Sequence, residues 1–113
     1  KVINVLYELK NMGYNLPRID VRIGQSKHYN TLALARLNGN IMWISERAIE
    51  QTENNFYHTI LHEIIHTIYG CEHDEKCHLM STYQPKIVYS KNKLLTIFKN
   101  YYNKYNNITK QVA

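Results

Sequence analysis

The sequence predicts an α+β domain: a small, mostly antiparallel three-stranded sheet packed on an N-terminal helix, a central helix and a C-terminal helix. Three observations carry this. Apolar residues recur at helical spacing at both ends, as Val2, Val5, Leu6, Leu9 and Met12 and as Leu94, Leu95, Phe98, Tyr101, Tyr102 and Tyr105. Between them the period shortens to two, with Ile19, Val21 and Ile23 alternating against Arg18, Asp20 and Arg22. A third stretch, 52–69, is apolar over much of a helix circumference, the mark of a buried helix. The 113 residues, 44% hydrophobic and 20% charged, suit one globular domain spanning 1–113.

Taken in order, Gly13 closes the first helix, which is expected to lie across the back of the sheet. Asn15-Leu16-Pro17 is a turn, and Arg18 to Gly24 a half-buried strand. Gly24 to Asn30 reads as a polar loop. Thr31 to Leu37 and Asn40 to Ser45 are two further strands, joined by the hairpin signal Asn38-Gly39. Ser45 caps a short helix through Ile49. Thr52-Glu53 opens the central helix, which runs to Tyr69 and ends on Gly70, a natural left-handed cap. Trp43 and Phe56 are expected to fill the core between sheet and helix. Pro85 ends a turn region, and the C-terminal helix follows.

The central helix carries the chemistry. His62-Glu63-Ile64-Ile65-His66 is an H-E-x-x-H pattern. On a helix its two imidazoles lie four residues apart on one face and converge on a point, supplying two nitrogen ligands for zinc. Glu63 sits one step round, within reach of a water at the ion. Buried histidines beside a buried glutamate otherwise require a hydrogen-bonded core cluster. For a third ligand, no acid follows Glu75. His58 shares the face but stands about 12 Å along the helix from His66, too far to share one ion. Cys71, His73, Asp74, Cys77 and His78 are within reach. His73 is chosen, because Gly-x-x-His after such a helix returns an imidazole to the metal. Cys71 and Asp74 are the alternatives.

Residues 61–83 resemble the metzincin clan of zinc peptidases, whose pattern H-E-x-x-H-x-x-G-x-x-H precedes a methionine turn. His62, Glu63, His66, Gly70 and His73 match, with one residue more between His66 and Gly70 than the pattern has. In length and layout the chain looks like small archaeal metallopeptidases of the selecase and minigluzincin type, and the segment 73–83 is similar to matrixin and archaemetzincin stretches. The resemblance implies a minimal zincin-like domain and a zinc endopeptidase acting on extended or unfolded polypeptides. It implies one Zn2+ on His62, His66 and His73, with Glu63 as general base toward a water activated by zinc. Met80 would be the methionine turn. Tyr83 would steady the oxyanion. By the same resemblance Leu32, Ala33, Leu34, Ala35 and Arg36 form a substrate-binding edge strand, against the plainer reading of a core strand.

Composition bounds the rest. No apolar run is long enough for a membrane span, and the N-terminus lacks the apolar region of a signal peptide, so cytoplasm is the expected compartment. The net charge of +5 is uneven: from Lys76 onward there are seven lysines and no acid. A solvated helix face accounts for that, with an acidic or nucleic-acid partner a weaker reading. Cys71 and Cys77 are expected as free thiols, against a local disulfide, an inhibitory thiolate or a separate structural zinc site. The tyrosine-rich face of the last helix is expected on the domain, over the cleft, or against a second copy. Two other functions fit the same residues: a non-catalytic zinc-stabilised binding domain, and a peptidase shut by its own tail or by oligomerisation.

Overall fold

The computed structural model describes residues 2–24 and 32–112, with 106–112 described by backbone alone. The polar loop at 25–30 and the expected strand start at Thr31 lie outside the described residues. The elements are α1 (Val2–Asn11), β1 (Asp20–Ile23), β2 (Ala33–Arg36), β3 (Ile41–Ile44), α2 (Glu46–Ile49), α3 (Glu53–Tyr69) and α4 (Lys91–Val112). This is the α+β domain expected. Gly13 takes φ 97° after α1, where Tyr14 N–H donates to the Leu9 carbonyl at 3.1 Å. The Ser45 hydroxyl accepts from Ala48 N–H at 3.2 Å and starts α2.

The sheet is mixed rather than mostly antiparallel. Its order is β1-β3-β2, with β2 antiparallel and β1 parallel to the central β3. The hairpin occupies one side of β3, and β1 takes the other. Since the chain reverses into β2 and again into β3, β1 and β3 run the same way. The hairpin loop has four residues, 37–40, and positive φ falls on Asn38 (57°) and Asn40 (52°) rather than on Gly39. Asparagine tolerates the left-handed region through its short polar side chain.

One core fills the space between the sheet and the helices. Met42 and Ile44 enter it from β3, Ile60, Leu61, Ile64 and Ile65 from α3, and Leu94 and Phe98 from α4. Strand alternation puts Met42 and Ile44 on the inner face, which leaves Trp43 half-buried on the other and outside the core proper. Phe56 is buried as expected, whereas Ile23 is 60% exposed because β1 is an edge whose inward alternation stops at Val21. α1 packs chiefly against the central helix α3, where the back of the sheet was expected. Its Glu8 pairs with Lys91 of α4.

The tyrosine stripe of α4 is used within the domain. Tyr102 accepts a hydrogen bond from Asn15 N–H at 3.1 Å and meets Tyr14 edge-on. Tyr105 stacks on Tyr69 at 5.2 Å. Among the described residues, no helix is long and apolar enough to cross a membrane.

The end of α3 fixes where the hairpin sits. Asn38 N–H donates to the His66 carbonyl at 3.4 Å and Asn40 N–H to the Thr67 carbonyl at 3.3 Å. The Thr67 hydroxyl accepts from Ile41 N–H at 2.8 Å and donates to the Ile41 carbonyl at 3.0 Å. The hairpin tip thus gives the Thr67 carbonyl a partner and adds a second donor to the His66 carbonyl, which also accepts from Gly70 N–H. Gly70 caps the helix at φ 68°, where a Cβ would overlap the side-chain amide of Asn38. Gly13 has similar strain but open space around it. Gly13→Ala should therefore cost about 1 kcal/mol from backbone strain alone. Gly70→Ala should cost distinctly more, because the hairpin must also shift. Urea melts of the two variants check this ranking, and equal losses would contradict it.

Candidate metal centre

Helix α3 presents His62 and His66 one turn apart, and the chain beyond Gly70 returns His73 to them. The rings converge, with centroid separations of 4.5 Å (His62–His66), 4.8 Å (His66–His73) and 5.3 Å (His62–His73). One ligand nitrogen from each lies within 4.8 Å of the others, so this group could hold a metal ion. His66 is buried and His73 exposed, so the site opens to one side.

The tautomers follow from the partners. His62 Nδ1–H donates to the Leu79 carbonyl at 2.7 Å, and His66 Nδ1–H to the Cys71 carbonyl at 2.5 Å. A carbonyl can only accept, so both Nδ1 atoms carry their protons and each neutral ring keeps its lone pair on Nε2. Those two Nε2 atoms face each other at 3.0 Å. Two acceptors at that distance need a cation, and burial denies them a proton. It lowers the His62 pKa to about 4 and that of His66 below its ordinary value. Tetrahedral zinc with N ligands asks for a nitrogen separation of about 3.3 Å, close to what the residues provide. Carbonyl acceptors on the far ring nitrogens are the usual outer support of metal-ligating histidines. The residues fit a metal ion held by imidazole nitrogens.

Glu63 is buried at the same place, and burial pushes its pKa up to about 8. It lines, with the three histidines, a cleft of about 790 Å³. Leu32, Ala33, Leu34 and Ala35 form one wall of that cleft and Ser81, Thr82, Tyr83 and Gln84 another. Of the expected edge strand, Ala33 to Arg36 form β2 and Leu32 precedes it, and Arg36 alone is not among the cleft-lining residues. Its side chain packs where a Cβ on Gly39 would sit, and Leu37 lines the cleft instead. Among the described residues, β2 is hydrogen-bonded to β3 on one side alone, which makes it an edge of the described sheet. No residue of α4 is among the cleft-lining residues described.

The loop after Gly70 is built to hold His73 and the two carbonyl acceptors. Asp74 N–H donates to the Met80 carbonyl at 2.8 Å, closing the segment between them. Leu79 and Met80 are fully buried and anchor it from below. Met80, the expected methionine turn, is part of the buried core cluster. Tyr83 lies in the cleft wall but is 84% exposed. Both cysteines are free. The Cys71 thiol donates to the Tyr105 hydroxyl at 3.1 Å, and neither thiol belongs to the three-residue group, nor does Asp74.

His58 also faces the cleft without joining the group. Its Nε2–H donates to the His78 carbonyl at 3.2 Å, and its Nδ1 accepts from Gln84 Nε2 at 3.4 Å. Gln84 further donates to the Asn55 carbonyl and to the Thr59 hydroxyl, and accepts from Gln51. This polar hub ties the second wall of the cleft to α3. His78 stacks on Tyr89 at 3.5 Å and accepts its N–H at 3.0 Å, leading the chain toward α4. Sequence reasoning missed Gln84 and the His78–Tyr89 pair. A lone glutamine and a histidine–tyrosine pair eleven residues apart carry no periodic signal.

Glu63 and His62 pull stability in opposite directions when no metal is bound. From pH 4.5 to about 8 the folded chain keeps a proton on Glu63 that the unfolded chain releases, so rising pH disfavours folding. From pH 6.5 down to about 4 the unfolded chain gains a proton that His62 refuses, so acid disfavours folding too. In the presence of chelator, Tm should fall between pH 6.5 and 8.5, and Glu63→Gln should flatten that fall by several degrees. Parallel curves for the two proteins would show that Glu63 is not held in a desolvated site. Comparison of the chain with protein-family models, with curated proteins and with solved structures gives no match.

Proposed function

We propose that the protein is a zinc-dependent endopeptidase acting on extended or unfolded polypeptides. The observation that carries this is a pair of converging Nε2 lone pairs, with His73 beside them and a buried carboxylate next to them, in a cleft bordered by a free strand edge. His62, His66 and His73 would hold the ion. When bound, zinc supplies Lewis acidity that polarises a carbonyl and makes water a stronger acid.

The chain's own groups do the rest. Glu63 takes the proton of the attacking water and passes it to the departing amine nitrogen. Its raised proton affinity suits the second step, and a nearby cation lowers it for the first. The open side of β2 offers main-chain groups to an extended peptide, and the small Ala33 and Ala35 let a backbone approach. Tyr83 would donate to the oxyanion, a role that requires its exposed ring to turn inward when substrate binds. Met80 and Leu79 keep the His62 acceptor in place.

Zinc-loaded protein should cleave an unfolded protein, and chelation should abolish cleavage until zinc is restored. Glu63→Gln should lower the rate by about 10²–10⁴-fold while zinc affinity stays within a few-fold. His73→Ala should weaken zinc binding itself. Wild type that binds zinc yet cleaves nothing would instead support the non-catalytic domain. Equal cleavage by wild type and Glu63→Gln would overturn the assignment of Glu63.

A further inference from the structure

The protein is basic, with 14 lysines and arginines against nine acids. Its cleft is not. The acidic side chains among the lining residues described are Glu63 on the floor and Glu72 at the rim, and no lysine or arginine is among those residues. Several of the described cations sit elsewhere. Arg22 pairs with Asp20 on β1, and Lys91 pairs with Glu8. Lys93 and Lys104 lie over the rings of Tyr89 and Tyr105, and Arg36 packs on the hairpin turn. The neighbouring Glu75 accepts from the Thr82 N–H and hydroxyl and is not among the cleft-lining residues described. Glu72 is exposed and directly precedes His73, the group's outermost histidine.

We propose that Glu72 selects substrate by charge, favouring peptides with a lysine or arginine beside the scissile bond and rejecting acidic ones. This rests on the peptidase reading. A cleft with low-dielectric walls and one sign of charge concentrates its field on whatever enters. One wall here is apolar, with Leu32, Ala33, Leu34, Ala35 and Leu37, and faces the polar 81–84 segment, so a substrate in the cleft passes close to Glu72. Because Glu72 neighbours a residue of the metal group, its reach covers side chains flanking the bond to be cut. It does not cover remote ones. The seven lysines from Lys76 onward would favour acidic substrates by long-range attraction, so the two effects predict opposite preferences and can be told apart.

The test uses peptides identical except for Lys, Gln or Glu beside one cleavable bond. Cleavage by zinc-loaded wild type, Glu72→Gln and Glu72→Lys is measured, and binding is measured on zinc-loaded Glu63→Gln with and without the Glu72 changes. We expect the Lys peptide to exceed the Glu peptide in kcat/KM by about fivefold, the size of one partly screened charge pair. The preference should vanish in Glu72→Gln, invert in Glu72→Lys and shrink with added salt. A preference for the Glu peptide, or one unmoved by Glu72→Lys, overturns the proposal. Charge-ranked binding without any cleavage keeps Glu72 as the selecting residue and removes the peptidase reading. Cleavage without charge ranking does the reverse.

Discussion

Two main-chain carbonyls, those of Leu79 and Cys71, decide what the central helix can do. Each accepts the Nδ1 proton of one α3 histidine and so leaves a lone pair on the opposite nitrogen. Without them the rings could rotate or change tautomer, and a hydrogen bond between His62 and His66 would be an ordinary core contact. With them, two acceptors face each other across 3.0 Å in a place that burial keeps free of protons. A cation is the simplest way to satisfy that arrangement.

Much of the small domain serves to hold these two carbonyls still. Met80 and Leu79 are sunk in the core, Asp74 ties back to Met80, and Tyr105 receives the Cys71 thiol proton. The C-terminal helix thus braces the metal loop from outside the cleft. The other terminus of the site is built from the helix end. The last carbonyls of α3 receive the hairpin's N–H groups, so the same turn that carries His66 also sets the position of β2. Site and strand edge are therefore tied together through the end of α3.

What was legible in the sequence was local and periodic. H-E-x-x-H at helical spacing, Gly70 as the cap, His73 three residues on, Ser45 before α2 and the two-residue alternation of β3 all depend on near neighbours, and the structure places each where its spacing said. What was not legible depends on long-range pairing. A parallel β1 cannot be told from an antiparallel one by alternation, because both have period two. Trp43 looked like core by its size, but the face of β3 is chosen by Met42 and Ile44 packing on α3. The hairpin loop put its left-handed residues at Asn38 and Asn40, since the tip must reach the α3 carbonyls. Gln84 gained its role only through partners 25 to 33 residues away.

The most direct test of this account is cobalt(II) bound in place of zinc, followed by visible and X-ray absorption. The account predicts one ion per chain with three imidazole nitrogens in its shell, a low-symmetry visible spectrum, and no thiolate-to-cobalt band. His62→Ala or His66→Ala should each remove it. Failure to bind, or a thiolate band that places Cys71 or Cys77 on the ion, would contradict the central claim that the Leu79 and Cys71 carbonyls prepare a three-histidine metal site.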